Sequence, residues 1–277
     1  MLFRSLVCRA SHGAYGYTDD NAVTREAVAA WMQARHGYAM RPEWGLYSSG
    51  VVDSILFALK TVTQPGDRVI VQPPVYGPFY RMTRTAGCEL VKNPLVETEN
   101  GWRMNLEELE SQLKAGAKAF LLCSPHNPVG RVWTRDELQA LINLLNQYGV
   151  ALIADEIHAD FALPGQKHTC SQTLDGAERS IVLVSATKTF NLAGLRTSTM
   201  IVQDDDLRAR VQETMKRNGA DTPNIFGSVA QTAAYQCGAP WLDALIEYLD
   251  GNRREAEAFF REHAPEIIPA RMEGTYL

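Results

Sequence analysis

Residues 181–196 read IVLVSATKTFNLAGLR, and this stretch governs how the rest of the sequence is interpreted. Its first four residues are apolar and typical of a buried strand. Lys188 follows that strand, with Ser185 three residues before it and Arg196 eight residues after it in a Gly-Leu-Arg turn. A lysine at the end of a buried strand costs free energy unless it is neutralised or hydrogen-bonded. The alternative, judged from these residues alone, is that Lys188 and Arg196 are ordinary surface residues beside a turn.

One cofactor uses such a set of side chains together. Pyridoxal 5′-phosphate (PLP) forms a Schiff base with a lysine, and its phosphate needs a hydroxyl and a cation. The motif closely resembles the lysine signature of the fold-type I PLP enzymes, the superfamily of aspartate aminotransferase. This resemblance implies that Lys188 is the catalytic, cofactor-bound lysine, with Ser185 and Arg196 on the phosphate.

The bulk composition excludes several other classes of protein. With 277 residues, 45% hydrophobic and 21% charged, the chain is an ordinary globular sequence. Its net charge of −5 argues against nucleic acid or an anionic membrane as the main partner. The five cysteines are scattered and form no Cys-x-x-Cys pair, so neither disulfides nor a metal site are expected. We expect a soluble, cytoplasmic protein.

Strands and helices alternate along the chain. We predict strands at 68–72, 89–91, 119–123, 150–154, 181–184 and 199–202, and helices at 24–35, 51–62, 106–113, 136–148, from 204 onward and at 241–263. Thr24 is predicted to cap the first helix, and Thr134 to form a capping box with Glu137. The alternation predicts an α/β fold with a mainly parallel sheet, whose ligands gather at the carboxyl ends of the strands.

Together with the resemblance, this pattern implies a fold-type I PLP-transferase-like large domain, with three layers (α/β/α), over residues 1–245. Residues 246–277 are predicted to form a connecting helix and the start of an incomplete C-terminal small domain, with a strand beginning at Ile267-Ile268. Compared with the family, the chain looks truncated at both ends. The arginine that binds the substrate α-carboxylate in the family is expected beyond residue 277.

Two polar residues after upstream strands fit the same cofactor. Asp155 follows the apolar run 151–154, where a carboxylate can pair with the pyridine nitrogen and keep it protonated. Alone, an acidic pair after a strand is also found in metal sites and helix caps. Asn127 lies in a Ser-Pro-His-Asn-Pro-Val-Gly string, which in isolation is equally an Asn-Pro turn. The resemblance implies that the Asn127 amide binds the phenolic oxygen of the cofactor.

The remaining predicted contacts surround the cofactor ring and its phosphate. Tyr76 resembles the aromatic residue that stacks on the ring and is also assigned a catalytic role, with a core tyrosine as the alternative. Ile157 is expected on the opposite face of the ring. Backbone N–H groups at the start of the helix at 51–62 can hold a phosphate; they belong to Gly50, Val51 and Val52. Tyr17, in a Tyr-Gly-Tyr-Thr segment, is expected to reach the phosphate of a partner subunit, which implies a homodimer with a shared active site.

Three short sequence motifs indicate the branch of the family: residues 12–18, residues 74–80 and Asp155-Glu156-Ile157-His158. They resemble the cystathionine and cysteine-S-conjugate β-lyases of the MalY/PatB type more than plain aminotransferases. His158, a predicted cofactor contact, stands where many aminotransferases carry tyrosine. The resemblance implies α,β-elimination of L-cystathionine or cysteine S-conjugates to pyruvate, ammonia and a thiol.

Two alternatives stay open at this point. One is a class I/II aminotransferase, which would transfer the amino group to a keto acid. The other is a PLP-binding regulatory module or an inactive fragment. A regulator of that kind should carry a basic helix-turn-helix segment at its start, whereas this sequence goes directly into the Tyr-Gly-Tyr segment.

Overall fold

The structure is a computed structural model that describes residues 2–19, 22–99 and 101–276. Its centre is a seven-stranded mixed sheet. The strands of this sheet are β1 (Gly45–Ser48), β2 (Arg68–Val71), β3 (Glu89–Lys92), β6 (Ala119–Cys123), β7 (Ala151–Asp155), β8 (Ile181–Val184) and β9 (Ser198–Ile201). Across the sheet they follow the order β1-β9-β8-β7-β6-β2-β3. A separate hairpin is formed by β4 (Val96–Thr98) and β5 (Gly101–Arg103).

The sheet is mainly parallel, as predicted. β3, β2, β6, β7 and β8 pair in parallel, because each connection between them crosses over and returns the chain to the same end of the sheet. β9 is antiparallel to both of its neighbours, β8 and β1. The carboxyl ends of β1, β6, β7 and β8 therefore lie at one edge of the sheet, together with the start of β9.

Helices cover both faces of the sheet, which gives the predicted three layers. Alternate residues along each central strand point to opposite faces, and both faces are buried. One face packs on α3 (Val51–Val62), α4 (Pro78–Thr85) and α8 (Asp205–Arg217). The other packs on α2 (Ala22–His36), α5 (Leu106–Lys114), α6 (Arg135–Gln147) and α9 (Ile225–Cys237). The remaining helices are α1 (Leu2–Ser11), the short α7 (Ala186–Thr189) and α10 (Ala239–His263).

The predicted elements are found within one or two residues of their observed ends, with two corrections. Thr24 is not a cap, because α2 begins at Ala22 and the Thr24 hydroxyl lies 2.9 Å from that of Thr232 in α9. Ile267 and Ile268 form no strand; they lie in an exposed turn and the stretch that follows it. The capping box at Thr134 and Glu137 is present as predicted.

The chain after α10 returns to the loops that follow β6 and β7. Glu273 and Gly274 donate backbone N–H groups to the carbonyl of Gly130, and Thr275 donates to that of Phe161. Nowhere in the described ranges does a helix have the length and apolarity needed to cross a membrane.

Candidate active site

A cleft of about 630 Å³ opens at the sheet edge where the carboxyl ends of β1, β6, β7 and β8 meet. This is the edge at which ligands bind in open α/β sheets. Most of the residues predicted from sequence line it: Gly50, Val51, Val52, Tyr76, Asn127, Asp155, Ile157, His158, Lys188 and Arg196. Residues from five separate segments of the chain are thus brought into one cavity.

Lys188 is carried on α7, a helix of only four residues directly after β8. Ser185 caps this helix: its hydroxyl accepts the N–H of Thr187 at 3.0 Å and donates to the carbonyl of Thr197 at 2.6 Å. Ser185 is buried and does not line the cleft, whereas Thr187 does. The described contacts of Ser185 therefore hold the lysine helix.

Asp155 is a buried carboxyl at the end of β7 and is only 4% exposed. Its one hydrogen bond within the described residues comes from the backbone N–H of Ile157, at 3.1 Å. Burial raises the pKa of Asp155 to about 7, although the Ile157 N–H and the charge of Lys188 act in the opposite direction. A buried carboxyl with so little compensation is suited to a cationic partner inside the cleft.

The amino end of α3 forms a second wall of the cleft. Gly50 precedes the helix with φ of 131°, and no side chain caps the first turn. The unpaired N–H groups and the helix dipole favour an anion there. Asp53 lies in the same turn and pairs with Arg196 at 3.0 Å while accepting the Ser49 hydroxyl at 2.8 Å. The Arg196 guanidinium is 69% exposed.

The side chains of Tyr76, Asn127 and His158 supply the other polar groups of the cleft. Burial and the nearby Asp155 raise the pKa of Tyr76. The side-chain amide of Asn127 makes no hydrogen bond to the described residues, and its backbone N–H meets the Cys123 sulfur at 3.4 Å. Burial, with the charge of Lys188, lowers the pKa of His158 to about 4, so its imidazole is neutral at pH 7.

Tyr17 lies outside this cleft. Its ring is fully exposed. Tyr17 lines a separate, shallower pocket beside the cleft, together with Ser49 and Arg196. Tyr15 packs instead against Phe226, with ring centroids 6.0 Å apart. In the single chain, the structure therefore brings Tyr17 close to Arg196 but not to Lys188.

The segment at 272–276 runs beside the lysine helix. The Glu273 carboxylate accepts from Nε of Arg131 at 2.8 Å and from the backbone N–H of Val132 at 3.1 Å. Tyr276 then packs on Phe161, with ring centroids 4.6 Å apart. Its hydroxyl lies 3.4 Å from the carbonyl oxygen of Lys188.

Sequence reasoning missed several residues that line the cleft: Asp53, Leu56, Arg81, Met82, Thr187 and Thr197. Thr187 lies inside the lysine motif and could have been found from the hydroxyl beside Lys188. Arg81 carries no local signal, because only the packing of α4 brings it to the cleft mouth. Its guanidinium pairs with no acidic side chain within the described chain. No group of three or more metal-ligating side chains occurs in the described ranges either.

Comparisons with known proteins give a consistent result. The model of the family described as aminotransferase class I and II matches residues 10–262. Cystathionine beta-lyase PatB of Bacillus subtilis (strain 168) is 42% identical over 272 residues, covering 97% of this chain and 70% of that protein. The structure of cystalysin from Treponema denticola, which contains a PLP cofactor, has a TM-score of 0.94 at 34% identity and covers 99% of this chain and 71% of the other. The PLP-bound C-S lyase from Staphylococcus hominis has a TM-score of 0.92 at 28% identity, covering 99% and 70% respectively.

Proposed function

The chain belongs to the family of class I and II aminotransferases, and from that membership we propose that it is a PLP-dependent carbon–sulfur β-lyase. Its substrates would be L-cystathionine or other cysteine S-conjugates. The observation that carries the proposal is the 42% identity to a cystathionine beta-lyase over nearly the whole chain. The chain spans about 70% of the length of that relative, so the activity is proposed for the protein to which these residues belong.

The residues of the cleft fit PLP. Lys188 supplies the amine, and the buried Asp155 carboxyl would pair with the ring nitrogen. The uncapped start of α3 (Gly50, Val51 and Val52) and Arg196 would hold the phosphate. Tyr76 and Ile157 offer apolar surfaces for the two faces of the ring, while Asn127 and His158 would lie along its polar edge. Ser185 remains a predicted phosphate ligand, in addition to its contacts as the cap of α7.

Bound PLP supplies an electron sink for the electron pair left at the substrate α-carbon. The chain's own contribution is to place a base and to hold charges. The Lys188 amine would remove the α-proton as general base. Asp155 would keep a proton on the ring nitrogen, and burial makes that ion pair strong. Overall the Cβ–S bond breaks and a thiol leaves, and with one water the remainder becomes pyruvate and ammonia.

Arg81 is proposed to contact a carboxylate of the substrate. It lines the cleft on the first turns of α4, on the same wall as Tyr76 and Met82. The other cations of the cleft already have roles, since Arg196 pairs with Asp53 and Lys188 is the reacting amine. A guanidinium that has no acidic partner among the described residues and lies at the mouth of the cleft favours a thioether that carries a second carboxylate, such as cystathionine, over one that lacks it.

The assembly and the compartment are also proposals. A homodimer in which Tyr17 reaches the phosphate of the partner subunit is supported by the full exposure of that ring. A cytoplasmic location is supported by the five unpaired cysteines, three of which are buried. Sedimentation of the purified chain at micromolar concentration, for the parent and Tyr17→Ala, tests the dimer.

One experiment tests the function directly. The purified chain is mixed with PLP, and its absorbance is recorded beside Lys188→Ala. L-cystathionine is then added without a keto acid, and pyruvate and free thiol are measured. We expect an absorbance band of the lysine-bound cofactor in the parent only, followed by equal amounts of pyruvate and thiol. A band without pyruvate, with amino transfer once a keto acid is added, would favour the aminotransferase instead.

A further inference from the structure

A buried carboxylate lies behind the wall of the cleft that carries Lys188. Asp160 follows β7, and its side chain is 6% exposed. One oxygen accepts from Nε1 of Trp31 at 3.0 Å and from Nε2 of His36 at 2.9 Å. The other accepts from the hydroxyl of Thr189 at 2.6 Å. All of the hydrogen bonds to this carboxylate thus come from α2 and from the residue next to Lys188.

The contact with Thr189 matters because α7 is too short to hold its own shape. A helix of four residues has barely one turn of backbone hydrogen bonds, and such a turn is unstable alone. Side chains hold its two ends: Ser185 caps the start, and Asp160 binds Thr189, the last residue. Lys188 lies between these two anchored ends.

The same carboxylate belongs to a larger buried cluster. The His36 ring packs edge-on against His168, with ring centroids 5.4 Å apart, and Nε2 of His168 lies 3.0 Å from Oε2 of Glu156. Glu156 directly follows Asp155 and also accepts the N–H of Ser171 at 2.8 Å. The cluster therefore connects the residue after Lys188 with the residue after Asp155.

The two carboxylates of this cluster are stabilised by hydrogen-bond donors within the fold. Burial alone would raise the pKa of Asp160, but the hydrogen bond and charge of His36, with the bonds from Thr189 and Trp31, hold it below its usual value. The pKa of Glu156 is likewise lowered against its burial, by His168 and Ser171. Both carboxylates are thus ionised at neutral pH and are fixed by several donors each, which makes them rigid supports.

We propose that Asp160 is a positioning residue: its carboxylate fixes the end of the lysine helix through Thr189 and so directs the amine of Lys188 into the cleft. This inference rests on the proposed function for its consequence in catalysis. The anchoring itself is a property of the protein without cofactor, and it can be measured there.

The test uses two substitutions at the donor. Thr189→Val keeps the shape of the side chain and removes the hydroxyl, whereas Thr189→Ser keeps the hydroxyl. Asp160→Asn changes the acceptor instead of the donor: it removes the negative charge and so tests the same contact independently. Asp243→Asn is the matched control, because Asp243 pairs with Arg35 of the same α2 helix at the surface, away from Lys188. Amide hydrogen exchange is measured on the cofactor-free proteins, and kcat and KM for L-cystathionine on the PLP-loaded ones.

We expect exchange at residues 186–190 to become about tenfold faster in Thr189→Val and Asp160→Asn, because a hydrogen bond to a charged group is lost. Exchange in β6 and β7 should stay unchanged, and Thr189→Ser and Asp243→Asn should match the parent. In the loaded enzyme, kcat should fall about tenfold or more with KM within about twofold, since misplacing the base slows the chemical step.

Exchange as slow as in the parent for Thr189→Val would overturn the proposal. So would a Thr189→Ser variant as impaired as Thr189→Val, because packing rather than the hydroxyl would then be responsible. Faster exchange throughout the sheet would show a loss of global stability and would also overturn it. If the parent releases no pyruvate, the β-lyase assignment fails, while the exchange data still decide the anchoring.

Discussion

At the scale of single residues, the buried carboxyl of Asp155 is suited to a cationic partner. Its folded-state pKa of about 7 lies above the ordinary value of 3.8, because burial penalises the charged form. Between these two pH values the folded chain binds more protons at this group than the unfolded chain. The contribution of Asp155 to the free energy of unfolding therefore falls as the pH rises from about 4 to about 7.

Asp155→Asn should remove the free-energy cost of ionising this buried carboxyl in the cofactor-free protein. Burial lowers the pKa values of His126 and His158 to about 4. These two histidines therefore make the free energy of unfolding rise with pH over part of this range. The difference in the free energy of unfolding between variant and parent therefore isolates the contribution of Asp155. Urea unfolding should show that the variant gains on the order of 2–4 kcal/mol relative to the parent between pH 4 and pH 8. The same variant should bind PLP much more weakly; a pH-independent difference would contradict this account.

Arg81 provides a test of substrate recognition at the cleft mouth. Arg81→Gln should raise KM for L-cystathionine about tenfold, since a charged hydrogen bond is lost, and should change kcat little. Arg84→Gln is the matched control, because Arg84 lies on the same helix but does not line the cleft. Steady-state kinetics with cystathionine and with a cysteine thioether that lacks the second carboxylate check this. An equal effect on both substrates would argue against recognition of the second carboxylate.

At the scale of elements, the helix caps explain why several boundaries could be predicted. Thr134 accepts the N–H of Glu137 at 3.2 Å, and the Glu137 carboxylate accepts the N–H of Thr134 at 2.9 Å. Both contacts are local in sequence, so residue types at fixed spacing reveal them. The same holds for Asp204, which caps α8 through the N–H of Leu207.

The capping box should contribute measurably to stability. Thr134→Ala should lower the free energy of unfolding by about 1 kcal/mol, because the Glu137 N–H loses its acceptor. Thr134→Ser, which keeps the hydroxyl, should lie within a few tenths of a kcal/mol of the parent. Thermal and urea unfolding would measure both. Equal destabilisation by the two substitutions would mean that the threonine methyl group, and not the cap, matters here.

For other parts of the fold, the nearby sequence did not predict the local structure. β1 contains only four residues, and it is a strand because β9 pairs with it along its whole length. α7 is similarly short, and its last residue, Thr189, binds Asp160, which lies 29 residues earlier in the chain. Thr24 resembles a cap in sequence but faces Thr232 of α9 instead. In each case a partner distant in the chain decides the local structure.

At the scale of the whole molecule, the segment at 272–276 is fixed by a buried ion pair. Arg131 is 11% exposed and Glu273 is 10% exposed at their side chains, and Arg131 also binds Glu137. Gly274 passes so close to Val132 and Phe161 that a side chain there would collide with them. These contacts place Tyr276 beside His158 and the lysine helix.

Glu273→Ala should release this segment. We expect a loss of about 2 kcal/mol of stability, less than for most buried ion pairs because Arg131 keeps Glu137 as a partner. Hydrogen exchange at residues 272–276 should rise, with little change in α2. Glu266→Ala, at an exposed position of the same C-terminal stretch, is the control. Unchanged exchange would mean that the aromatic contacts of Tyr276 suffice to hold the segment.

The sequence by itself determined the α/β fold, the mainly parallel sheet, the family, and the residues Lys188, Asp155, Asn127 and Arg196 as candidates. It could do so because strand and helix periodicity, caps and short motifs are local properties of the chain. Only the tertiary structure decided that the Ser185 hydroxyl binds the Thr197 carbonyl, that Arg81 lines the cleft, and that Asp160 binds Thr189. The physical reason is that these positions depend on packing and hydrogen bonds between residues far apart in the chain, which no local pattern encodes.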